Sequence, residues 1–364
     1  MSPKRIPLII CLAALFGLSA LSAPAGSSVR HTERSDQVVE SAGIRTIEVG
    51  NPRGDVEIGP SPDGRIHVTA LKICRGRDDA EAKRLAAQLS VTAGVQGDRY
   101  VIKVTYPKRV DIKVNFWDLF SGHADSDDFG QSHEVKILLQ APTALAMELS
   151  TVSGDLASHG FNGSQRLRST SGDCTVDATG GKLDVETVSG DARVRGLGRA
   201  QVHTTSGDIL STIAGPVEAR AVSGDIDVQG VSDSLVLTST SGDISVEHAP
   251  KSISASTSSG TIEIVSASGS VAVRSTSGDV SVVLGGSLSG ASVSSTSGSV
   301  ELGLLPGLDA SLELTTNSGE IECDVPVVLL GHGRQSMNAK YGRGGAPVKA
   351  HTVSGDLHVT SGGS

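Results

Sequence analysis

Three successive stretches of this chain share one pattern, and that pattern decides the fold. Residues 235–246 read LVLTSTSGDISV, residues 253–264 read ISASTSSGTIEI, and residues 271–282 read VAVRSTSGDVSV. On both sides of each Ser-Gly pair, apolar residues alternate with polar ones, which is the period of a β-strand. Each stretch is therefore predicted to form two short strands joined by a turn.

The same turn returns along most of the chain at intervals of 17 to 18 residues. Its glycines are Gly154, Gly172, Gly190, Gly207, Gly224, Gly242, Gly260, Gly278, Gly298 and Gly319, with Gly355 after a double interval. A unit this short cannot bury its apolar side alone, but coils stacked about 4.8 Å apart form a continuous core. We predict an all-β fold, a single-stranded β-solenoid (β-helix) built from 17–18-residue Ser-Gly-Asp repeats. A meander of antiparallel hairpins with Gly-Asp turns is the alternative.

The composition is consistent with a repetitive, narrow core. Glycine accounts for 44 of the 364 residues and aromatic residues for only 2 %, so the core must be filled by small and β-branched side chains. At 38 % hydrophobic residues, the chain is too apolar to be disordered. The formal net charge of −9 makes nucleic acid a poor partner, because binding to phosphates needs a basic face.

The first 25 residues have the pattern of a secretory signal peptide. Lys4 and Arg5 precede an apolar run over residues 6–21, and Ala23 and Ala25 supply the small residues of a cleavage site before Gly26. A retained membrane anchor is the alternative. After cleavage we expect no membrane span, and a protein exported to the periplasm, the outer surface or the extracellular medium.

The rest of the chain divides by the regularity of its repeats. We predict a flexible lead-in over 26–38 and a β-rich N-terminal cap over 39–150 with a short helix at 78–89. Regular solenoid repeats follow over 151–323, and an irregular insert with the final repeat over 324–364. The three cysteines outside the signal segment are too few and too scattered for a disulfide framework.

One aspartate recurs after the turn glycine. The set is Asp155, Asp173, Asp191, Asp208, Asp225, Asp243 and Asp279. A solenoid would stack these carboxylates into a column about 5 Å apart, where they repel one another and where calcium could bridge them. In the other interpretation, each aspartate only caps its own turn with a hydrogen bond. No other cofactor or metal is predicted.

The segment 115–130 concentrates the aromatic residues of the chain. Phe116, Trp117, Phe120 and Phe129 lie there among four aspartates. Aromatic side chains dominate binding hot spots, so the segment is a candidate for docking a partner. Alternatively, the rings cover the open end of the solenoid.

The chain resembles the bacterial putative-adhesin family of β-strand-repeat proteins, a domain of unknown function. The resemblance rests on the serial Ser-Gly-Asp turns, on the strand from Ile137 to Pro142 followed by Leu149 to Asp155, and on the return of the motif at Thr352 to Leu357. It covers about residues 44–360. It implies a β-solenoid, association with the cell envelope or export, and a binding or structural role without catalytic residues.

We therefore expect a non-catalytic exported surface or envelope protein that acts as an adhesin-like binding or structural solenoid. Its partner would be a protein or carbohydrate on a cell surface or in the envelope. One alternative is a periplasmic envelope-stress or assembly protein. Another is a carbohydrate-active β-helix enzyme with paired carboxylates, although the chain carries none of the common motifs that combine a nucleophile with a base.

Overall fold

The computed structural model describes residues 29–107, 133–249 and 251–362. Over these residues the fold is all-β with one short helix, as the sequence predicts. Most strands belong to two ladders of parallel strands, and each Ser-Gly turn carries the chain from the first ladder to the second. The parallel pairing excludes the meander of hairpins, in which consecutive strands would be antiparallel.

The strands of the first ladder come before the Ser-Gly turns. They are β2 (Thr46–Arg53), β8 (Ala146–Ser153), β10 (Gln165–Ser171), β12 (Lys182–Ser189), β14 (Arg199–Ser206), β16 (Val217–Ser223), β18 (Leu235–Ser241), β20 (Ser252–Ser259), β24 (Ala310–Ser318) and β28 (Ala346–Ser354). The long strands β21 (Ile262–Ser277) and β22 (Val280–Ser297) contribute to both ladders.

The strands of the second ladder follow the turns. They are β3 (Val56–Pro60), β9 (Leu156–Phe161), β11 (Cys174–Ala178), β13 (Ala192–Gly196), β15 (Ile209–Ile213), β17 (Ile226–Val228), β19 (Ile244–Val246), β23 (Val300–Leu304), β25 (Ile321–Cys323) and β29 (Leu357–Ser361).

The register of the paired strands stacks similar side chains on one another in successive coils. In the first ladder Leu167 pairs with Val185, which pairs with Val202 in the next coil. In the second ladder Ile226 pairs with Ile244. These residues are buried in one continuous core, because every second residue of a strand points inward. A core of aliphatic columns explains why the chain needs so few aromatic residues.

The N-terminal end is closed by β1 (Val29–Val39), β4 (Ile66–Gly76), α1 (Asp79–Gln88), β5 (Ser90–Gln96), β6 (Arg99–Thr105) and β7 (His133–Ala141). Strands β6 and β7 extend the two ladders beyond β2 and β3, although they come later in the chain. Antiparallel strands then cover both, with β5 on β6, β4 on β7 and β1 on β4.

The flexible lead-in predicted for residues 26–38 is not what the structure shows for its described part. Residues 29–38 belong to strand β1, which pairs with β4 from Val29 opposite Gly76 to Val39 opposite Ile66. The strand has few apolar residues and is largely exposed, so its sequence carries no clear strand period. The backbone groups at the edge of β4 supply the hydrogen bonds that order it.

The C-terminal end also departs from chain order. The last coil, β28 with β29, lies between the coil of β22 and β23 and the coil of β24 and β25. Two further strands, β26 (Val327–His332) and β27 (Ser336–Tyr341), continue the first ladder beyond β24 in antiparallel pairing. In the described residues, no helix has the length and apolar character needed to cross a bilayer.

Candidate functional surface

Six of the seven turn aspartates, from Asp155 to Asp243, stack in consecutive coils, and Asp279 follows after the coil of Thr261; each one binds the neighbouring coil rather than only its own turn. Oδ1 of Asp155 accepts a hydrogen bond from the backbone N–H of Asp173 at 2.9 Å, and Oδ1 of Asp173 accepts one from Asp191 at 2.9 Å. The later aspartates accept in the same way from the backbone N–H one coil further on, at 2.7–3.1 Å: Asp191 from Asp208, Asp208 from Asp225, Asp225 from Asp243, Asp243 from Thr261, and Asp279 from Ser299. Parallel stacking brings each carboxylate next to the amide one coil further on.

The second carboxylate oxygens are paired at one place in the column. Arg193 donates to Oδ2 of Asp173 at 3.0 Å and to Oδ2 of Asp191 at 2.8 Å. The hydrogen bond with Asp173 is the main reason that the pKa of Arg193 is raised. One guanidinium therefore bridges two neighbouring carboxylates of the column.

The described ranges contain no group of three or more His, Cys, Asp or Glu side chains arranged to hold a metal ion. One oxygen of each column carboxylate is already engaged by a backbone amide. Calcium binding by the column therefore stays a prediction for experiment.

The column borders a shallow, mainly acidic groove of about 430 Å³, and Arg193 is part of its lining. Its lining includes Asp208, Asp225, Asp227 and Asp243, with Ser245 at one end. Carboxylate and hydroxyl groups on a flat sheet accept hydrogen bonds, so this surface suits a partner that carries hydroxyl or ammonium groups.

A second groove, of about 360 Å³, lies near the C-terminal end of the same side of the solenoid. Glu301, Glu322 and Asp356 line it together with His358. Nε2 of His358 lies 2.9 Å from Oδ2 of Asp324, and this hydrogen bond is the main reason that the pKa of His358 is raised.

A column of buried hydroxyl groups runs beside the turns, and sequence reasoning did not identify it. Oγ1 of Thr257 donates to the carbonyl of Gly242 at 3.3 Å, and Oγ1 of Thr352 donates to the carbonyl of Gly298 at 3.1 Å. The signal was the Ser or Thr that recurs two residues before the Ser-Gly pair. The hydroxyl groups of Thr257 and Thr352 thus satisfy carbonyl oxygens inside the turn column, whereas those of Ser169, Thr204 and Ser275 are buried without a hydrogen-bond partner among the described residues.

The turn glycines are required mainly by close approach between coils. A Cβ atom on Gly242 would lie 2.1 Å from the carbonyl oxygen of Gly224, and one on Gly190 would lie 2.2 Å from that of Gly172. The backbone of each coil therefore passes directly over the turn before it.

The candidate docking residues Phe116, Trp117, Phe120 and Phe129 lie outside the described residues, so their role stays a prediction. The described residues that precede and follow this segment are joined by hydrogen bonds near the turn at Arg53. The hydroxyl of Tyr106 donates to the carbonyl of Arg53 and accepts a hydrogen bond from the N–H of Val135 at 3.0 Å.

The cysteines of the described chain are free thiols, with Cys74 and Cys174 buried and Cys323 half-buried. Burial raises the pKa of the Cys174 thiol to about 12. A buried thiol with a raised pKa is inert, so Cys174 has a packing role.

Solved structures similar to the chain come from several bacteria. The crystal structure of a "putative cell adhesion protein" from Clostridium sporogenes ATCC 15579 has 7 % identity and a TM-score of 0.20, covering 91 % of this chain and 100 % of that chain. A "putative adhesin" from Bacteroides fragilis NCTC 9343 has 11 % identity and a TM-score of 0.26, covering 90 % and 97 %. A "putative lipid binding protein" from Parabacteroides distasonis ATCC 8503 has 13 % identity and a TM-score of 0.33, covering 90 % and 96 %.

A comparison with curated proteins finds no match. The family described as Toastrack DUF4097 matches residues 41–255 and 214–360. The two overlapping matches span both ladders and both ends of the array of coils, which confirms the resemblance to a domain of unknown function. The chain belongs to the Toastrack DUF4097 family.

Proposed function

We propose that this protein is a non-catalytic exported protein of the cell surface or envelope, an adhesin-like solenoid in which each 17–18-residue Ser-Gly-Asp repeat forms one coil. The observation that carries the proposal is the column of turn aspartates. Its hydrogen bonds join residues 17 or 18 positions apart, coil after coil. The most regular polar residues of the chain therefore hold the coils together, and the outward side chains are left to contact a partner.

The geometry around Arg193 supports a binding role over catalysis. A carbohydrate-active enzyme needs one carboxyl group that can donate a proton and one that can attack or activate water. Asp173 and Asp191 instead share the guanidinium of Arg193 as ion-pair partners. Their backbone hydrogen bonds make them part of the turn column.

Export is supported by the sequence of residues 1–25, with its basic start, apolar run and small residues before Gly26. The partner would be a protein or carbohydrate of the envelope or of another cell surface. The acidic groove beside Asp208 and Asp225 supports a partner that donates hydrogen bonds. A periplasmic assembly or stress protein would use the same fold and differ in location.

The test is the fate of the full chain in a bacterial host. We expect mass spectrometry to find a protein that begins at Gly26, and fractionation to find it outside the cytoplasm. Leu15→Arg, which interrupts the apolar run, is the control and should retain the uncleaved chain in the cytoplasm. Accumulation of the wild-type protein uncleaved in the cytoplasm would refute export.

Protease treatment of intact cells separates the two non-catalytic roles. Digestion on intact cells supports a surface adhesin, and digestion only after the outer layer is opened supports a periplasmic interaction protein. Release of reducing ends from a panel of polysaccharides, lost in Asp173→Asn and Asp191→Asn, would instead establish the carbohydrate-active enzyme.

A further inference from the structure

The two ends of the solenoid are closed differently. At the N-terminal end both ladders continue into antiparallel strands, with α1 packed against β4 and β1. At the C-terminal end β27 and β26 continue the first ladder, whereas the second ladder ends at β25 in the described chain. Among the described residues, strand β26 therefore extends past the coil of β24 and β25, and no strand of the second ladder lies opposite it.

The side chains of β26 are exposed as a result. Leu329 pairs with Ala339, which is 1 % exposed, yet Leu329 itself is 55 % exposed. Its neighbours Val328 and Leu330 are 61 % and 62 % exposed. Successive residues of a strand point to opposite faces, so apolar side chains project on both sides of β26.

The β26–β27 hairpin carries cationic but no anionic side chains, unlike the chain as a whole. Residues 325–355 contain no aspartate or glutamate, although the chain has a formal net charge of −9. Lys340 lies directly opposite Val328 in the β26–β27 hairpin, and Arg334 lies in the turn that joins the two strands. Neither side chain forms an ion pair within the residues that the structure describes.

Two protein occupants fit this end poorly. A second copy would bring the same cationic hairpins together, and like charges repel. A partner strand would have to pair along the edge of β26, but the register shifts between Leu329 and Gly331. A bulge at an edge strand disrupts the ladder and discourages pairing with another chain.

An anionic lipid surface fits both properties. Aliphatic side chains on both faces of a projecting strand can enter the boundary between head groups and acyl chains, which surrounds them from every side. Lysine and arginine near the surface of an anionic membrane are attracted by its negative potential. We propose that the end of the β26–β27 hairpin, formed by Val328, Leu329, Leu330, Arg334 and Lys340, docks peripherally on an anionic lipid bilayer. This inference rests on the proposed export, because an exported protein meets the outer face of a membrane.

The experiment is co-sedimentation of the purified exported protein with vesicles of phosphatidylglycerol and phosphatidylcholine, or of phosphatidylcholine alone. We expect binding to the anionic vesicles, weaker binding at high salt, and little binding to neutral ones. The double variant Leu329→Ser/Leu330→Ser should bind at least about tenfold more weakly. The variant Arg334→Glu/Lys340→Glu should lose the preference for anionic lipid.

Leu197→Ser is the matched control, because Leu197 is 58 % exposed on the side of the solenoid. It should bind like the wild type. Thermal unfolding of each variant checks that these exposed changes leave the fold intact.

Equal binding by the wild type and the hairpin variants, or no binding by any of them, would overturn the proposal. A dimer in sedimentation equilibrium that is lost in Leu329→Ser/Leu330→Ser, without vesicle binding, would assign the surface to a second copy. The N-terminal mass of the same preparation reports on export separately. A protein that begins at Gly26 but binds no vesicles therefore contradicts this inference and leaves the proposed function standing.

Discussion

Asp309 and Arg343, 34 residues apart, join the two sides of the connection that places the last coil inside the solenoid. The backbone N–H of Arg343 donates to Oδ1 of Asp309 at 2.8 Å, and its Nε donates to Oδ2 at 3.1 Å. These hydrogen bonds, the backbone one first, lower the pKa of the Asp309 carboxyl group. Here the chain passes from β27 to β28 across the start of β24, so that β24 lies between the two strands.

Removal of the last coil tests this arrangement. A chain that ends at Gly345 lacks β28, so Val293 and Leu314 both lose Ala350 as their partner in the first ladder. We expect β24 to β27 to become sensitive to limited proteolysis and the thermal midpoint to fall. A chain that ends at Gly362 is the control and should behave like the full protein. Unchanged protection of the shorter chain would show that the last coil is dispensable.

A charge inside a core column should unfold several coils. Val246 is fully buried and pairs with Val228 and Ile264. Val246→Asp buries an unpaired carboxylate, which costs on the order of 3–5 kcal/mol of the free energy of unfolding. Ser254→Asp places the same charge at an exposed strand position whose ladder partners are Val236 and Ala272, and it should cost little. Equal thermal midpoints for the two variants would contradict the stacked core.

Close approach between coils predicts that the turn glycines tolerate no side chain. A Cβ atom on Gly242 would lie 2.1 Å from a backbone oxygen, so Gly242→Ala should lower the free energy of unfolding by about 3 kcal/mol. A Cβ atom on Gly59 would meet no packing neighbour within 4 Å, and Gly59→Ala should be neutral or slightly stabilising. Chemical denaturation measures both. A tolerated alanine at position 242 would argue against the tight turn column.

The free energy of unfolding should fall more when a column aspartate loses its hydrogen-bond acceptor than when it loses only its charge. Oδ1 of Asp243 accepts from the N–H of Thr261 at 2.7 Å. Asn keeps an acceptor oxygen, so Asp243→Asn should cost less than about 1 kcal/mol, and Asp243→Ala about 1–2 kcal/mol. Chemical denaturation compares the two variants, and an equal loss in both would show that the charge matters more than the acceptor.

Calcium is the companion test of the same column. Because one oxygen of each carboxylate is engaged by an amide, we expect millimolar calcium or a chelator to leave the thermal midpoint unchanged. A midpoint that rises with calcium, and rises less in Asp243→Asn, would instead show that the column binds the ion.

The contact between His358 and Asp324 predicts a small dependence of stability on pH. The pKa of His358 is raised in the folded protein above its usual 6.5. Its contribution is therefore complete below about pH 6.5 and is lost as the pH rises through the folded pKa. The thermal midpoint of the wild type should exceed that of His358→Gln at about pH 5.5 and equal it at about pH 8.5. A difference that grows with pH would exclude this ion pair.

The local sequence pattern predicted the strands and the buried residues, but it did not predict every hydrogen-bonding partner or every pair of strands. The alternation around Gly242 and Gly260 identified which residues are buried, because side-chain direction alternates along any strand. The partners of the aspartates needed the structure, since a carboxylate can accept from its own turn or from the next coil with the same sequence. Strand β1 was missed because its order depends on the edge of β4 and not on a pattern of its own.

The sequence by itself determined a β-repeat with tight turns, a narrow aliphatic core and membership of one family, since all three depend on short-range periodicity and composition. Only the tertiary structure decided the order of the coils at the two ends. Asp55 accepts from the N–H of Asp155, 100 residues later, and the last repeat enters between two earlier coils. The repeats are so alike that any coil could stack on any other. Contacts between residues distant in sequence, such as that of Asp309 with Arg343, select one order of the coils.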